Sequence, residues 1–530
     1  MTRRRSWWGW GWVDEQLGGE ALDGLGSMLA ERFSTAPTEA LPAPEVGDVE
    51  VAEPRVSIPD ALAVEVSATP EDRLFHGHGQ AFRDVVRAVE GRAANPPDAV
   101  AYPESPQGVA RLLDWASDEG VDVVPFGGGT SVVGGVEPRG ARAAVSLDLS
   151  RVSRVLEVDG VSRAARIQAG ARGPEIEDQL RPHGLTLRHF PQSWEFSTLG
   201  GWLATRAGGH YATRLTHIDD MTEAITAITP AGEWVSRRLP GSGAGPSPDR
   251  LLLGSEGTLG VITSAWMRVQ PRPVHRASAT VRFADVAAGA RAVRALGQSG
   301  LDPANCRLLD PTEAALSGAG DGSGAVLVLG FESADHPLGA WIDRGLELCR
   351  DHGGAHDDPV VREGDRTGTA EGGEGAWRET FLRAPYLRDA LVRLGMVVET
   401  LETAVTWDAF DGFVAAVRDA LSRAAAEVCG EAVVGLRLTH VYPDGAAPYF
   451  TVIAPGRPGE RLAQWDEIKA AASDVILAAG GTITHHHAVG RDHVPWYERQ
   501  RPDRFGDALA AAKRAVDPAG IMNPGVLGLG

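Results

Sequence analysis

Apolar positions change their period several times along the 530-residue chain. They run on unbroken from Ala99 to Tyr102, recur every three or four residues from Ser105 to Glu119, and run on again from Val121 to Phe126, a pattern that predicts strand, helix and strand. Pro106 at an early helical position and Gly120 just past the last turn mark the ends of that helix. Strands are predicted again at 144–149, 164–169, 224–229 and 259–269, and a helix at 174–183 closed by Gly184. Around Val274 the pattern resets. Helical periods at 286–296, 337–351, 407–426 and 461–479 then alternate with β-runs at 325–331, 433–440 and 449–454.

Helices and strands in this second order are hard to wind into a parallel sheet, so the expectation is an α+β molecule of two lobes, the second a layer of helices on an antiparallel sheet. The predicted division is an N-terminal arm and helical region at 1–90, a first domain at 91–274, a second at 275–510 and a short tail at 511–530. Within the arm a helical pattern at 25–33 precedes a proline-rich connector at 34–47. The stretches 240–249 and 353–376 read as polar surface loops.

Composition narrows the function. With 43% hydrophobic residues the chain can bury a large core, and a net charge of −20 repels a phosphate backbone, so nucleic acid is not expected as a partner. Lys469 and Lys513 are the only lysines, leaving arginine to carry the positive charge. Three scattered cysteines argue against a disulfide framework or a cysteine-rich metal site. No apolar run approaches a membrane span and no secretory leader stands at the start, so a cytoplasmic protein is expected. Residues 1–12 set three arginines beside four tryptophans, which suits peripheral membrane contact at the lipid headgroups or packing of the rings onto the protein body.

Three glycine and hydroxyl clusters carry the chemistry. The first, Val124-Pro-Phe-Gly-Gly-Gly-Thr-Ser-Val-Val-Gly-Gly135, follows a strand directly and can bring backbone N–H groups, Thr130 and Ser131 against a diphosphate. It has neither the lysine of a Walker loop nor the G-x-G-x-x-G spacing of a dinucleotide fold. The others are Pro191-Gln-Ser-Trp-Glu-Phe-Ser-Thr-Leu-Gly-Gly-Trp-Leu-Ala-Thr-Arg-Ala-Gly-Gly209 and Leu252-Leu-Gly-Ser-Glu-Gly-Thr-Leu-Gly-Val-Ile-Thr263. Three such loops imply one large ligand.

In these segments the sequence resembles the vanillyl-alcohol-oxidase/p-cresol-methylhydroxylase flavoproteins, and residues 513–525 resemble the family's C-terminal return to the flavin domain. The resemblance implies a p-cresol-methylhydroxylase-type FAD-binding domain with a substrate (cap) domain beside it. It implies FAD contacts from Pro125, Phe126, Gly127, Gly128, Gly129, Thr130 and Ser131; from Gln192, Ser193, Glu195, Phe196, Ser197, Thr198, Gly201, Thr205, Arg206, Ala207 and Gly208; and from Glu256, Gly257, Thr258, Gly260, Val261 and Ile262. Some members attach FAD covalently through histidine or cysteine, but 125–132 holds neither, so non-covalent FAD is expected.

Further segments, among them Trp8-Gly-Trp-Gly11, Cys306-Arg-Leu-Leu-Asp310, Ala384-Pro-Tyr-Leu-Arg-Asp389, Thr439-His-Val-Tyr442 and Thr484-His-His-His-Ala-Val-Gly490, look like the alkylglycerone-phosphate synthases. That likeness implies exchange of the acyl group of acyl-dihydroxyacetone phosphate for a fatty alcohol in ether-lipid synthesis, with FAD acting as electrophile rather than electron carrier. It implies Tyr449 as proton donor and acceptor, His485, His486 and His487 at the flavin face, Arg307 as a further residue on which activity depends, and Arg388 at the substrate phosphate or carboxylate. On an extended segment three successive histidines would point to alternating faces, so no metal is expected there. The reading allows a homodimer.

Two other readings compete. A glycolate- or D-lactate-type 2-hydroxy-acid dehydrogenase or oxidase shares the flavin loops, but its His-x-Gly-Asp-Gly-Asn-x-His pair is replaced here by His440-Val-Tyr-Pro-Asp-Gly-Ala-Ala-Pro-Tyr449. A decayed flavin-binding protein would have no use for Tyr449, Arg388 and the histidine run. The Ala207-Gly-Gly-His-Tyr-Ala212 run departs from the synthase pattern, and the last residues are no peroxisomal tripeptide.

Overall fold

The computed structural model describes residues 3–35, 39–62, 64–92, 95–211, 213–214, 216–364 and 373–530, with side chains left aside at 373–380. Its first lobe holds a four-stranded sheet in the order Glu65–Ser67, Ala99–Tyr102, Ala144–Asp148, Asp122–Phe126. The last three are parallel and the first antiparallel. The connecting helix Pro106–Glu119 starts where the Ser105 hydroxyl accepts the Gly108 N–H and stops at Gly120, whose φ of 66° suits a residue without Cβ. A five-stranded antiparallel sheet follows, Val155–Asp159, Ala164–Gln168, Val261–Arg268, Thr222–Thr229 and Gly232–Val235. Both sheets share one core, in which Leu112, Leu147, Ile167, Trp202 and Met267 meet Ile521 and Met522 from the far end of the chain.

That return is clamped from inside. Lys513, buried on the helix Asp503–Val516, donates to the Thr258 carbonyl at 2.9 Å and the Met522 carbonyl at 2.6 Å and pairs with Asp517 at 2.7 Å. Lys469, the other lysine, is equally buried and pairs with Glu399 at 2.8 Å in the second lobe.

The second lobe is built on a nine-stranded antiparallel sheet. Its main path runs Ala355–His356, His275–Phe283, Ala325–Ser333, Asn305–Leu309, Val433–Val441, Gly445–Pro455, Met396–Glu402. Side chains alternate across it. Phe450, Val452 and Ala454 are fully buried while Tyr449, Thr451 and Ile453 face a large cavity. The same split sends Leu436 and Leu438 inward and Arg437 and Thr439 to the cavity. Helices Val286–Gly297, Gly339–Asp351, Phe410–Cys429 and Arg461–Ala478 contribute to the core beneath the sheet.

One expectation changes. Part of the supposed loop at 353–376 is strand, since Ala355–His356 and Val360–Glu363 pair with His275–Phe283, and the helix Gly373–Arg393 begins within it; residues 365–372 lie outside the described ones. In the arm Trp7, Trp8 and Trp10 are buried, so these rings are used in packing rather than offered to a lipid surface. No helix among the described residues is long and apolar enough to cross a membrane.

Candidate functional site

A cavity of about 400 Å³ opens between the lobes. One wall is the glycine loop that leaves Asp122–Phe126. Among the described residues no acceptor meets the N–H groups of Gly128, Gly129 or Thr130, so successive donors stand free beside the cavity, as an anion-binding nest requires. The loop tolerates no side chain there: a Cβ on Gly128 would lie 2.1 Å from the Phe196 carbonyl oxygen, and Gly129 has φ of 67°. The Ser131 hydroxyl oxygen accepts the Gly135 N–H at 3.1 Å and keeps its own proton to donate. These features fit the diphosphate of a dinucleotide such as FAD.

The second cluster bends into the helix Leu199–Thr205, capped by the Thr198 hydroxyl on the Gly201 N–H at 3.3 Å. From it Gln192, Ser193, Ser197, Thr198, Gly201, Thr205, Ala207 and Gly208 reach the cavity. The third supplies Glu256, Gly257, Gly260, Val261 and Ile262. Pro125 to Ser131 line it throughout. Glu195, Phe196, Arg206 and Thr258 do not: Glu195 accepts from the Trp12 indole, Phe196 packs on Trp10, Arg206 pairs with Asp219, and the Thr258 hydroxyl donates to the Ser255 carbonyl.

Opposite the loops, the second-lobe sheet presents Arg307, Arg437, Thr439, His440 and Tyr449, and the turn after Arg461–Ala478 presents His486 and His487. Tyr449 is buried, its ring 3.7 Å from the Arg437 guanidinium carbon and stacked at 6.3 Å on His486. Burial pushes its phenol up, against the pull of Arg437 and a hydrogen bond with Thr400. Arg307 donates to the His210 carbonyl at 2.6 Å and to its Nδ1 at 2.8 Å; burial, with Arg437 nearby, brings it down to about 9. Arg388 lines the cavity but commits N–H groups to Asp389 and Gln80. A guanidinium has five N–H donors, so some remain for a ligand.

The histidine run differs from the extended segment expected. It curls around Glu402, whose carboxylate accepts the N–H groups of His485, His486 and His487 at 2.8–3.0 Å. Burial alone would raise Glu402, yet His486, 3.1 Å from its carboxylate, leads in holding it well below its ordinary value. The curl replaces alternating faces by convergence, and nitrogens of His440, His485 and His486 come within 4.8 Å of one another. His485 does not line the cavity; its Nε2 meets the Tyr442 hydroxyl at 2.7 Å and His217 Nε2 at 3.1 Å. Burial drives His440 and His485 well below, and His487 to about 3, keeping all three neutral.

Sequence reasoning did not find Glu402 or the contact of Glu256 with the same segment. Glu256, largely buried at the cavity wall, accepts the N–H groups of Val489 and Gly490 at 2.9 and 2.8 Å, and burial pushes it up to about 7. Both contacts span tens to hundreds of residues along the chain. Glu402 ends a strand that also holds Glu399 and Thr400, so nothing local singled it out.

Comparison with known proteins agrees with this geometry. Residues 97–237 match the family described as FAD binding domain, and residues 272–527 the family described as FAD linked oxidases, C-terminal domain. The chain is 33% identical over 490 residues to alkyldihydroxyacetonephosphate synthase of Dictyostelium discoideum, covering 88% of this chain and 78% of that one. A solved alkyldihydroxyacetonephosphate synthase superposes with a TM-score of 0.80 at 27% identity, over 98% of each chain. Substrate-bound p-cresol methylhydroxylase, at 14% identity and a TM-score of 0.64 over 88% of this chain and 94% of that one, shares the fold.

Proposed function

The chain belongs to the alkyldihydroxyacetonephosphate synthases, FAD-dependent enzymes, and on that premise we propose that it exchanges the acyl group of an acyl-dihydroxyacetone phosphate for a fatty alcohol. One observation carries the reading: Tyr449, His486, His487 and Arg307 converge on the cavity that the three glycine loops enclose. Apolar Leu387, Leu391, Val398 and Ile453 line the same space and suit a hydrocarbon chain.

Pro125 to Ser131, with the cavity-lining residues of the second and third clusters, would hold FAD non-covalently, and bound there it would supply an electrophilic ring atom for the substrate carbon. Tyr449, kept protonated by burial, donates or removes the proton at that carbon. His487, its ring 5.7 Å from that of Tyr449, and His486, 4.8 Å from His487, stand at the same cavity wall to handle the proton of the incoming alcohol. Arg307 and the uncommitted donors of Arg388 hold the phosphate. Glu402 acts through the backbone, fixing the curl that aims the histidines.

The test is an incubation of the FAD-loaded protein with acyl-dihydroxyacetone phosphate and an isotope-labelled fatty alcohol. Label in an ether product with release of one fatty acid supports the reading. Anaerobic bleaching of the flavin by a D-2-hydroxy acid, with no ether formed, overturns it in favour of a dehydrogenase.

A further inference from the structure

The Arg3–Trp12 segment precedes both matched families and contributes only Trp10 to the cavity wall, yet it is tied across the glycine loop. The Trp10 N–H donates to Asp389 and the Trp12 N–H to the Tyr386 hydroxyl, both on the helix Gly373–Arg393, while the Gly9 carbonyl accepts from Gln80 at 3.2 Å. A Cβ on Gly11 would lie 2.0 Å from the Tyr386 hydroxyl, so the strap fits at backbone range.

This strap delivers Arg5. Its Nη1 donates to the Gly128 carbonyl at 3.0 Å, and its guanidinium lies 5.0 Å from the Phe75 ring centroid and 4.7 Å from that of Phe196. Its buried Nε meets no acceptor among the described residues, and none of the carboxylates there pairs with it. In a trans peptide the carbonyl and the following N–H point in opposite directions. Holding the Gly128 carbonyl on the strap side therefore turns the Gly129 N–H, which has no acceptor, the other way.

We propose that the Arg3–Trp12 strap is a cofactor latch, in which Arg5 pins the Gly128 peptide so that the loop N–H groups face the FAD diphosphate and sets an unneutralised positive charge one peptide away. The proposal rests on the assignment of FAD to this cavity. It assigns the cofactor an anchor outside the flavin-binding domain, on the segment that also clips to the substrate lobe. Release of FAD then requires the strap to lift.

The experiment measures FAD release from loaded wild type, Arg5→Met and Arg5→Lys by recovery of flavin fluorescence, together with unfolding midpoints of each with and without FAD. Loss of one charge-assisted contact predicts roughly 10- to 100-fold faster release for Arg5→Met, with Arg5→Lys in between. The FAD-free midpoint of Arg5→Met should match that of FAD-free wild type, while the rise on adding FAD shrinks. Equal lowering of both midpoints, or release at the wild-type rate, overturns the latch. Failure of wild type itself to bind FAD would instead bring down the cofactor assignment beneath it.

Discussion

Tyr449 and the two buried carboxylates make the sharpest claims at the scale of single residues. Tyr449→Phe keeps the ring on Arg437 but removes the proton, so alkyl transfer should fall about 10²- to 10⁴-fold with FAD content unchanged, read from turnover and the flavin spectrum. Glu402→Ala strips the acceptor from three buried N–H groups and should cost on the order of 3–5 kcal/mol in denaturant unfolding, whereas Glu402→Gln keeps one carbonyl and should cost less. Glu256 works with opposite sign in pH. Its folded value of about 7 lies above the ordinary 4.5, so the folded state holds the proton more tightly; its contribution is complete below 4.5 and is lost as pH rises through about 7. Glu256→Gln should flatten the fall of the thermal midpoint across that window.

The glycine loop and the central strands show what is decided element by element. Gly128→Ala forces its Cβ against the Phe196 carbonyl, and the loop must open, so the purified variant should carry little FAD, measured as the ratio of flavin to protein absorbance. Elements with a strong local period were legible: Pro106–Glu119, Ala325–Ser333, Phe410–Cys429 and Arg461–Ala478 lie within a few residues of their expected bounds. His275–Phe283, Asn305–Leu309 and Met396–Glu402 were not read as strands. In His275–Phe283 half of the apolar positions are alanine, which carries little strand signal, Asn305–Leu309 is short, and in Met396–Glu402 the buried Glu399 interrupts the apolar face because its partner Lys469 lies seventy residues on. The three loops were legible because a backbone that must approach a ligand closely demands glycine whatever surrounds it. The curl of the histidine run was not, since Glu402 that imposes it lies over eighty residues away.

At the scale of the whole molecule, the cavity is a shared product of both lobes, the first supplying the cradle and the second the reacting side chains. The strap from the beginning of the chain and the return from its end both close on the first lobe's loop, at Gly128 and at Gly135, the latter through Asn523 at 2.9 Å. The two buried lysines turn this arrangement into a chemical reporter. Lys469 sits in the core of one lobe and Lys513 in that of the other, and no third lysine side chain competes for reagent. An acylating label applied to the native protein should therefore leave both unmodified, and peptide mass analysis during gradual denaturation should show Lys513 reacting when the C-terminal return detaches and Lys469 when the substrate lobe opens. Simultaneous modification at every denaturant concentration would mean that the lobes open as one unit. Each molecule thus carries a two-channel record of its own breathing.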